Sequence, residues 1–577
     1  MKIADEIAKQ KTDLLRSTAR DSDYFSFIKY LLALRGSCMG KPHEQALLEG
    51  EIAVTYRLLA EEIKNNNSQP VHKVAFGTSG WRGLLGKDLF VKSVKQVAQA
   101  IVDMYEDVAT ADLEIGDALG VKTIDEARKR GCVVGYDNRF AGDVLAMAVC
   151  SVLTANGFLV HYAGEATTGT LSAAVLKLGA AFSVNLTPSH NPLEYGGFKY
   201  NAADAGPASS VLTSIIGRNA RKNIEQDKPL RDRHDPTLLR PIDALELWKQ
   251  LVRDNCGRHG LDYDAIMAVF AGNPDIFVAV DCVHGASRIH IRRLFNDLES
   301  DRLVLLRNGA DVTFGGIAPE PSSQNLTRVK EVLAARNEPL KLGVIIDPDA
   351  DRIRFVDGSQ EVGMNQFGAM AFHYLHEIKK KSGLLAKSVA TSNFANAIAA
   401  KLDEEIFETP VGFKEFKPVI GKALVCFEES DGISVIGHTP EKDAYIGLLL
   451  ALDMIQTLGK NLSDYFSELE KEFGRYYPAR DGVAVGVHGD ELKDRLARLK
   501  NFTPGTSITI GSREMQVKEL LTLDGYKIIL EDDSWLMIRP SGTEPKVRFY
   551  VEARTESGKK DLFAAALKLL QEMELLY

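Results

Sequence analysis

Between Cys132 and Gly164 the chain reads CVVGYDNRFAGDVLAMAVCSVLTANGFLVHYAG. A short β-branched run leads into a polar loop. Apolar residues at helical spacing follow, then a Gly turn and a second apolar run. The pattern predicts strand, loop, helix, turn and strand. From Asp275, DIFVAVDCVHGASRIHIRRLFNDLESDRLVLLRNG repeats it. From Ser388, SVATSNFANAIAAKLDEEIFETPVG does so again, less clearly. Such units make right-handed β-α-β crossovers in parallel or mixed sheets. The repeats therefore predict three related α/β domains.

The end of the chain has a different rhythm. YKIILEDD, SWLMIRP and KVRFYVEAR are strand patterns in close succession, and KKDLFAAALKLLQEMELLY is a terminal helix. Strands followed by a helix predict a C-terminal α+β domain. The start, MKIADEIAKQKTDLLRS, predicts an amphipathic helix. The charged stretch RNARKNIEQDKPLRDRHDP and the region around EFGRYYPARDG read as linkers. The expected division is an N-terminal helical extension at 1–70, α/β domains at 71–235, 236–360 and 361–470, and the α+β domain at 471–577.

Composition narrows the class. A chain of 577 residues is too long for one core. Hydrophobic content of 45% and charged content of 26% fit a soluble globular protein. A net charge of −9 argues against nucleic-acid binding, which needs a basic face, but allows a local basic pocket. No apolar run reaches roughly 18 residues, so no membrane span is expected. The start carries acidic residues and no long apolar run, which makes it a poor signal peptide. Six scattered cysteines without a C-x-x-C spacing suggest neither zinc nor disulfides, and fit reduced thiols in the cytoplasm.

Five short stretches carry the chemistry. In Thr187–Pro192, TPSHNP, two prolines bracket Ser189 and His190. In LGVIIDPDADRIRF a buried-strand pattern ends in Asp347, Asp349 and Asp351. Alternate side chains of an extended segment share a side. Carboxylates so close repel unless a cation sits between them, and hard oxygens suit Mg2+. A solvated acidic turn is the plain alternative. An EF-hand is excluded, because Arg352 and Gly358 stand where it needs Gly and Glu. In RPSGTEPKVRFY, Arg539, Ser541, Gly542, Thr543 and Arg548 lie where a turn and two guanidinium groups can hold one anion; an ordinary hairpin turn is the alternative. Glu428 and Ser430 follow a short apolar strand and suit sugar hydroxyls. In AFGTSGWRG, Gly77, Gly80 and Gly83 suggest a flexible turn, with Arg82 as an anion contact. No P-loop and no nucleophile elbow occurs.

Together these loops resemble the α-D-phosphohexomutase family, whose pattern combines a T-[AP]-S-H-N-P loop, an Asp-x-Asp-x-Asp-Arg loop, a G-E-x-S loop and R-P-S-G-T-E-P-K, in this order. The resemblance runs from about Phe76 to the C terminus. It implies four domains around a central cleft, three α/β domains with mixed sheets and one α+β domain. It also implies that Ser189 carries the phosphate and is itself a metal ligand with Asp347, Asp349 and Asp351. Lys199, ten residues on, matches the family's acid/base lysine; His190, Arg82 and Arg352 assist. Glu428 and Ser430 hold the sugar, and Arg539, Ser541, Gly542, Thr543 and Arg548 hold the non-reacting phosphate. The implied cofactors are Mg2+ and, as activator, glucose 1,6-bisphosphate. The implied partner is a small sugar phosphate, with the protein a monomer or homodimer.

Two departures bear on the sugar. The metal loop DPDADR is similar to that of some phosphoglucomutases and phosphopentomutases, and the string EES, with Phe427 in place of Gly and without the loop histidine, is similar to phosphoglucomutases and implies glucose 1-phosphate and glucose 6-phosphate. Mannose and pentose phosphates stay open as alternatives. A haloacid-dehalogenase-like phosphatase using Asp347, and a non-catalytic sugar-phosphate binder, are the remaining readings.

Overall fold

The computed structural model describes residues 3–16, 21–38, 40–77, 80–108, 113–487, 489–540 and 546–576. Seven strands form the first sheet: β1 (Phe76–Gly77), β2 (Gly80–Leu84), β3 (Cys132–Tyr136), β4 (Val160–Glu165), β5 (Phe182–Leu186), β6 (Tyr195–Asn201) and β7 (Leu239–Pro241). Their spatial order is β1-β2-β6-β5-β3-β4-β7. β3 runs parallel to β4 and β5, and helix Gly142–Ala155 makes the first crossover. β6 returns antiparallel to β5, which sets Lys199 opposite Asn185.

The second sheet holds β8 (Ile276–Asp281), β9 (Leu303–Leu306), β10 (Leu340–Ile346), β11 (Ile353–Val356) and β12 (Glu361–Val362). The third holds β13 (Leu384–Ser388), β14 (Ile406–Thr409), β15 (Ala423–Glu428) and β16 (Gly432–Val435). Both combine a parallel centre with an antiparallel edge. One contiguous core serves both sheets. At its centre lies helix Ala444–Leu458, apolar on every side and therefore buried all round. Asp443 caps its start by accepting from the Tyr445 N–H, and Gly459, at φ 62, ends it. The fourth sheet is wholly antiparallel: β17 (Tyr477–Ala484), β18 (Ser507–Ile510), β19 (Arg513–Leu521), β20 (Tyr526–Leu530), β21 (Trp535–Pro540) and β22 (Lys546–Ala553), covered by helix Glu556–Glu572. Three mixed sheets and one antiparallel sheet with a helix are the architecture expected from the periodicity.

Ahead of the first sheet stand helices α1 (Ile3–Leu14), α2 (Tyr24–Ser37) and α3 (Pro42–Asn65). Ile7, Phe27, Leu31, Leu48 and Ile52 give them a small core of their own. Phe25, Ile28, Leu59 and Ile63 join the core of the first sheet.

Several local expectations change. The stretch from Arg218, read as a linker, opens inside helix Ser210–Glu225, whose buried stripe is Leu212, Ile216, Ala220 and Ile224. The region around Tyr477, also read as a linker, forms β17. It is an edge strand, so Pro478 costs no interior ladder bond. The strand expected from Ser388 ends at that residue instead, because Thr391 N–H bonds back to the Ser388 carbonyl and Ser392 Oγ accepts from Phe394 N–H to start a helix. Gly80 and Gly83 lie in strand β2, not in a flexible turn. Gly80 has φ 101, and a Cβ there would meet the Phe198 carbonyl at 2.6 Å. β7 and β12 fall just past the expected limits at 235 and 360, since each completes a sheet begun before it.

Candidate active site

The loops that matter leave the C-terminal ends of parallel strands, where open α/β sheets present ligand sites. β5 ends at Leu186 and delivers the serine loop. Ser189 has φ 58, a left-handed conformation that costs a serine roughly 1–2 kcal/mol. Fixed bonds hold it there. Ser189 N–H donates to Thr187 Oγ1 at 2.9 Å, and the Thr187 hydroxyl donates to Asp137 Oδ2 at 2.6 Å. Arg139 donates to the carbonyls of Ser189 and Pro192, each at 2.7 Å, and to that of Asn191. The sheet presses close from below: a Cβ on Gly197 would lie 2.2 Å from the Thr187 carbonyl. So constrained, the Ser189 hydroxyl donates to Asp347 Oδ2 at 2.8 Å, with His190 Nδ1 3.4 Å away.

β10 ends at Ile346 and delivers the three aspartates. The backbone N–H groups of Asp351 and Arg352 both donate to Asp347 Oδ1 at 3.1 Å, curling the loop around that carboxylate. One oxygen from each of Asp347, Asp349 and Asp351 falls within 4.8 Å of the others. Asp349 Oδ1 and Asp351 Oδ1 are buried and accept no hydrogen bond. Buried acceptors left unpaired are costly, and three carboxylates supply the hard oxygens a small divalent cation takes. The residues therefore fit a metal of the Mg2+ type. The opposite oxygens face cations: Lys199 Nζ lies 2.5 Å from Asp349 Oδ2 and 2.9 Å from Asp351 Oδ2, and Lys442 Nζ 3.3 Å from Asp351. Thr168 Oγ1 donates to Asp349 Oδ2 at 2.7 Å.

These neighbours separate the titrations. Burial, reinforced by Asp351 and Asp349, pushes the Asp347 carboxyl well above its ordinary range. Burial acts the same way on Asp351, but Lys199, Lys442 and Arg352 outweigh it and hold that carboxyl well below. For Lys199 burial opposes the charge, and Asp349, Asp351 and Glu441 more than restore it, so the ammonium persists. Burial and the cations Arg352 and Arg82 push His190 well below its usual value, so its ring is neutral.

Facing these loops is a cleft of about 730 Å3. Its near wall includes Arg82, His190, Lys199, Asp351 and Arg352, and Ser189, Asp347 and Asp349 each contact one of these residues. Lys442, beside Asp351, lines the cleft as well, and its far wall includes Glu428, Ser430 and, from the fourth sheet, Arg480, Arg539, Lys546 and Arg548. The cations gather here although the chain is acidic. Glu428 is buried, accepts from Gly412 N–H at 2.7 Å, and is pushed up to about 7 by burial, against Lys442 and with Glu429. Arg539 Nε pairs with Asp524 at 3.1 Å, and Asp524 accepts from Val411 N–H, tying the fourth sheet to the third. Arg548 stands opposite Arg539 across β21 and β22.

Four family profiles match the chain in sequence. They are described as phosphoglucomutase/phosphomannomutase α/β/α domain I at residues 109–227, domain II at 265–363, domain III at 364–473 and C-terminal domain at 490–569. The chain belongs to the phosphoglucomutase/phosphomannomutase family. Members of this α-D-phosphohexomutase family are enzymes that isomerise sugar phosphates by phosphoryl transfer, and so is this protein. A phosphoglucomutase/phosphomannomutase of Thermococcus kodakarensis is 27% identical over 506 residues, 86% of this chain and 98% of that one. A probable phosphoglucosamine mutase of Methanopyrus kandleri is 28% identical, over 84% of this chain and 95% of the other. The open form of pp63/parafusin from Paramecium, a phosphoglucomutase, shares the fold with a TM-score of 0.68 at 20% identity, over 88% of this chain and 96% of that one.

Of the residues singled out from sequence, Ser189, His190, Lys199, Arg82, Arg352 and the three aspartates converge on one end of the cleft. Glu428, Ser430, Arg539 and Arg548 line the other side. Ser541, Gly542 and Thr543 lie outside the described residues. Sequence reasoning missed Asp137, Arg139, Thr168, Glu441 and Lys442. The signal for the first two was present: YDNR directly follows a predicted parallel strand, the place where such sheets carry ligand residues.

Proposed function

We propose that this phosphohexomutase is a phosphoglucomutase, interconverting glucose 1-phosphate and glucose 6-phosphate through phosphoserine 189 and glucose 1,6-bisphosphate. The observation that carries the reading is the Ser189 hydroxyl bonded to Asp347 beside a cation-lined cleft. Asp347, Asp349 and Asp351, with the Ser189 oxygen, would hold Mg2+. Bound there, the metal neutralises charge on the carboxylates and on the phosphoryl group. The chain's own residues do the rest. The P–Oγ bond of phosphoserine 189 breaks as a P–O bond forms to the free sugar hydroxyl. Neutral His190 would take the hydroxyl proton, and charged Lys199 would supply one to the departing Ser189 oxygen. Arg139 and Thr187 keep the loop in line for transfer. After the bisphosphate turns over, the same groups run the step in reverse. Glu428 and Ser430 bind sugar hydroxyls, and Arg539 and Arg548, with Ser541, Gly542 and Thr543, hold the other phosphate.

Glucose is favoured by the EES string at Glu428–Ser430; the glucosamine name of one relative keeps amino sugars in the test. The six cysteines form no disulfide, which supports a reducing, cytoplasmic setting. No helix among the described residues is long and apolar enough to cross a membrane. The deciding experiment is a coupled isomerisation assay on the 1-phosphates of glucose, mannose, glucosamine, N-acetylglucosamine and ribose, with glucose 1,6-bisphosphate as activator. The highest kcat/KM is expected for glucose 1-phosphate. A larger value for any other sugar overturns the glucose assignment and leaves the mutase assignment standing.

A further inference from the structure

The three N-terminal helices lie ahead of the family matches, which begin at residue 109, yet they reach the supports of the serine loop at two places. From α2, Lys29 Nζ pairs with Glu194 Oε1 at 2.7 Å. Glu194 stands where the loop returns to β6, and its carbonyl accepts from Leu85 N–H at 2.9 Å. From α3, the Tyr56 ring packs on Phe140, centroids 4.6 Å apart. Phe140 adjoins Arg139 in the chain. On Arg139 itself lies Phe314, its ring centroid 4.5 Å from the guanidinium carbon. Phe314 comes from the turn after β9, but it packs in one core with Phe25, Ile28 and Leu59 of the helices. The Tyr56 hydroxyl is buried without a hydrogen-bond partner, so the contact uses the ring. Arg139 then grips three carbonyls of the serine loop.

We infer that the N-terminal helices are a buttress that sets Ser189 for phosphoryl transfer, with Tyr56 and Lys29 as positioning residues acting through Arg139 and Glu194. A left-handed serine persists only where its surroundings over-determine it. Arg139 supplies that determination, and its own position is set by the Phe314 ring over its guanidinium and by the Tyr56 ring packed on the adjoining Phe140. A displacement of about 1 Å at a reacting group costs up to about 100-fold in rate. The kinetic part of the test rests on the mutase reading; the structural part does not.

The test uses the full chain with Tyr56→Ala and Lys29→Ala. The controls are Tyr56→Phe, which keeps the ring, and Lys11→Ala, which breaks the Lys11–Glu51 pair inside the helices. Two quantities are read: kcat and KM per folded molecule, and amide hydrogen exchange across residues 187–194. Tyr56→Ala is expected to lower kcat about 10-fold or more with KM nearly unchanged, and to speed exchange in that segment. Tyr56→Phe restores both, and Lys11→Ala changes neither. Lys29→Ala acts in the same direction by less, and its exposed side chain leaves folding intact, so it decides the matter if Tyr56→Ala does not fold. Unchanged exchange and kcat in the folded variants, or equal changes in Lys11→Ala, overturn the buttress. If the wild type turns over no sugar phosphate, the mutase reading falls, and the exchange comparison still decides this inference.

Discussion

The two sides of the cleft are built to different standards. Around the serine and metal loops the working side chains are buried and cross-bonded. Ser189 and Asp351 are each 1% exposed, and Lys199 answers two carboxylates at once. Across the cleft the fourth sheet offers cations closer to solvent: the Arg480 side chain is 38% exposed, and Arg548 is exposed outright. Under the proposed mechanism the difference follows from what each side must do. Every transfer, in either direction, would pass the same reacting centre, so dipoles and charges fixed in advance help each time. The distal side would accept whichever phosphate is not reacting, on a sugar presented in two orientations. Looser, solvent-screened contacts tolerate that exchange.

If the comparison is right, substitutions on the near side cut kcat by large factors. Ser189→Ala is expected to lower turnover at least about 10,000-fold while the thermal midpoint stays close to wild type. Phosphate on Ser189, measured by intact-protein mass spectrometry, should vanish with it. An alanine variant that still turns over substrate breaks the comparison at its strongest point. Lys199→Met comes next, with a loss of about 100- to 10,000-fold. It also leaves Asp349 and Asp351 facing each other without their ammonium. The variant's thermal midpoint in EDTA should fall, because removing one member of a buried ion pair costs about 3–5 kcal/mol. Mg2+ should raise that midpoint more than it raises the wild type's.

Glu428 lies between the two standards, buried yet on the sugar side. Its folded value is about 7, above the ordinary glutamate range. A raised value means the folded protein holds the proton more tightly than the unfolded chain. The associated stability is complete below about pH 4 and is lost as pH climbs through about 7, at up to about 1.4 kcal/mol per pH unit. Substrate-free wild type should therefore lose thermal stability between pH 5 and 8, and Glu428→Gln should lose less over that window. The Gly412 N–H bond can survive in glutamine, so an unchanged slope assigns the loss to another group. KM for the sugar phosphate should also vary less with pH in the variant.

How much of this was legible in the chain depends on distance. The strands of the first two repeats, the terminal sheet, the serine and aspartate loops and the EES string each lie within a dozen or so residues, so each can be read where it stands. Where the structure departs, the cause is a competing local signal. In helix Ser210–Glu225 the buried stripe Leu212, Ile216, Ala220 and Ile224 keeps helical spacing, but its second half is masked by Arg218, Lys222 and Glu225 on the wet face. β17 carries a proline and no fully buried residue, which an edge strand tolerates and a sequence pattern does not show. Arg139, about fifty residues before the carbonyls it grips, and Lys442, about ninety beyond Asp351, acquire their roles only when separate strands end at one place. Periodicity carries no information about such meetings.

The smallest expected effect tests the far side of the comparison. Arg548 lies on β22 opposite Arg539, at an exposed position on the rim of the cleft. A guanidinium there meets a phosphate in water rather than in a dry floor, so its contribution is close to that of an exposed charge pair, about 1 kcal/mol. Arg548→Ala should raise KM about fivefold and leave kcat within about twofold. Because the contact is screened, the gap between variant and wild type should shrink as ionic strength rises from 0.05 to about 0.5 M. The near-side variants should show no such convergence, since buried pairs are screened much less. A kcat loss near 100-fold in Arg548→Ala at saturating substrate would mean that the distal phosphate grip is used in the transition state itself. The cleft would then have one standard of construction rather than two.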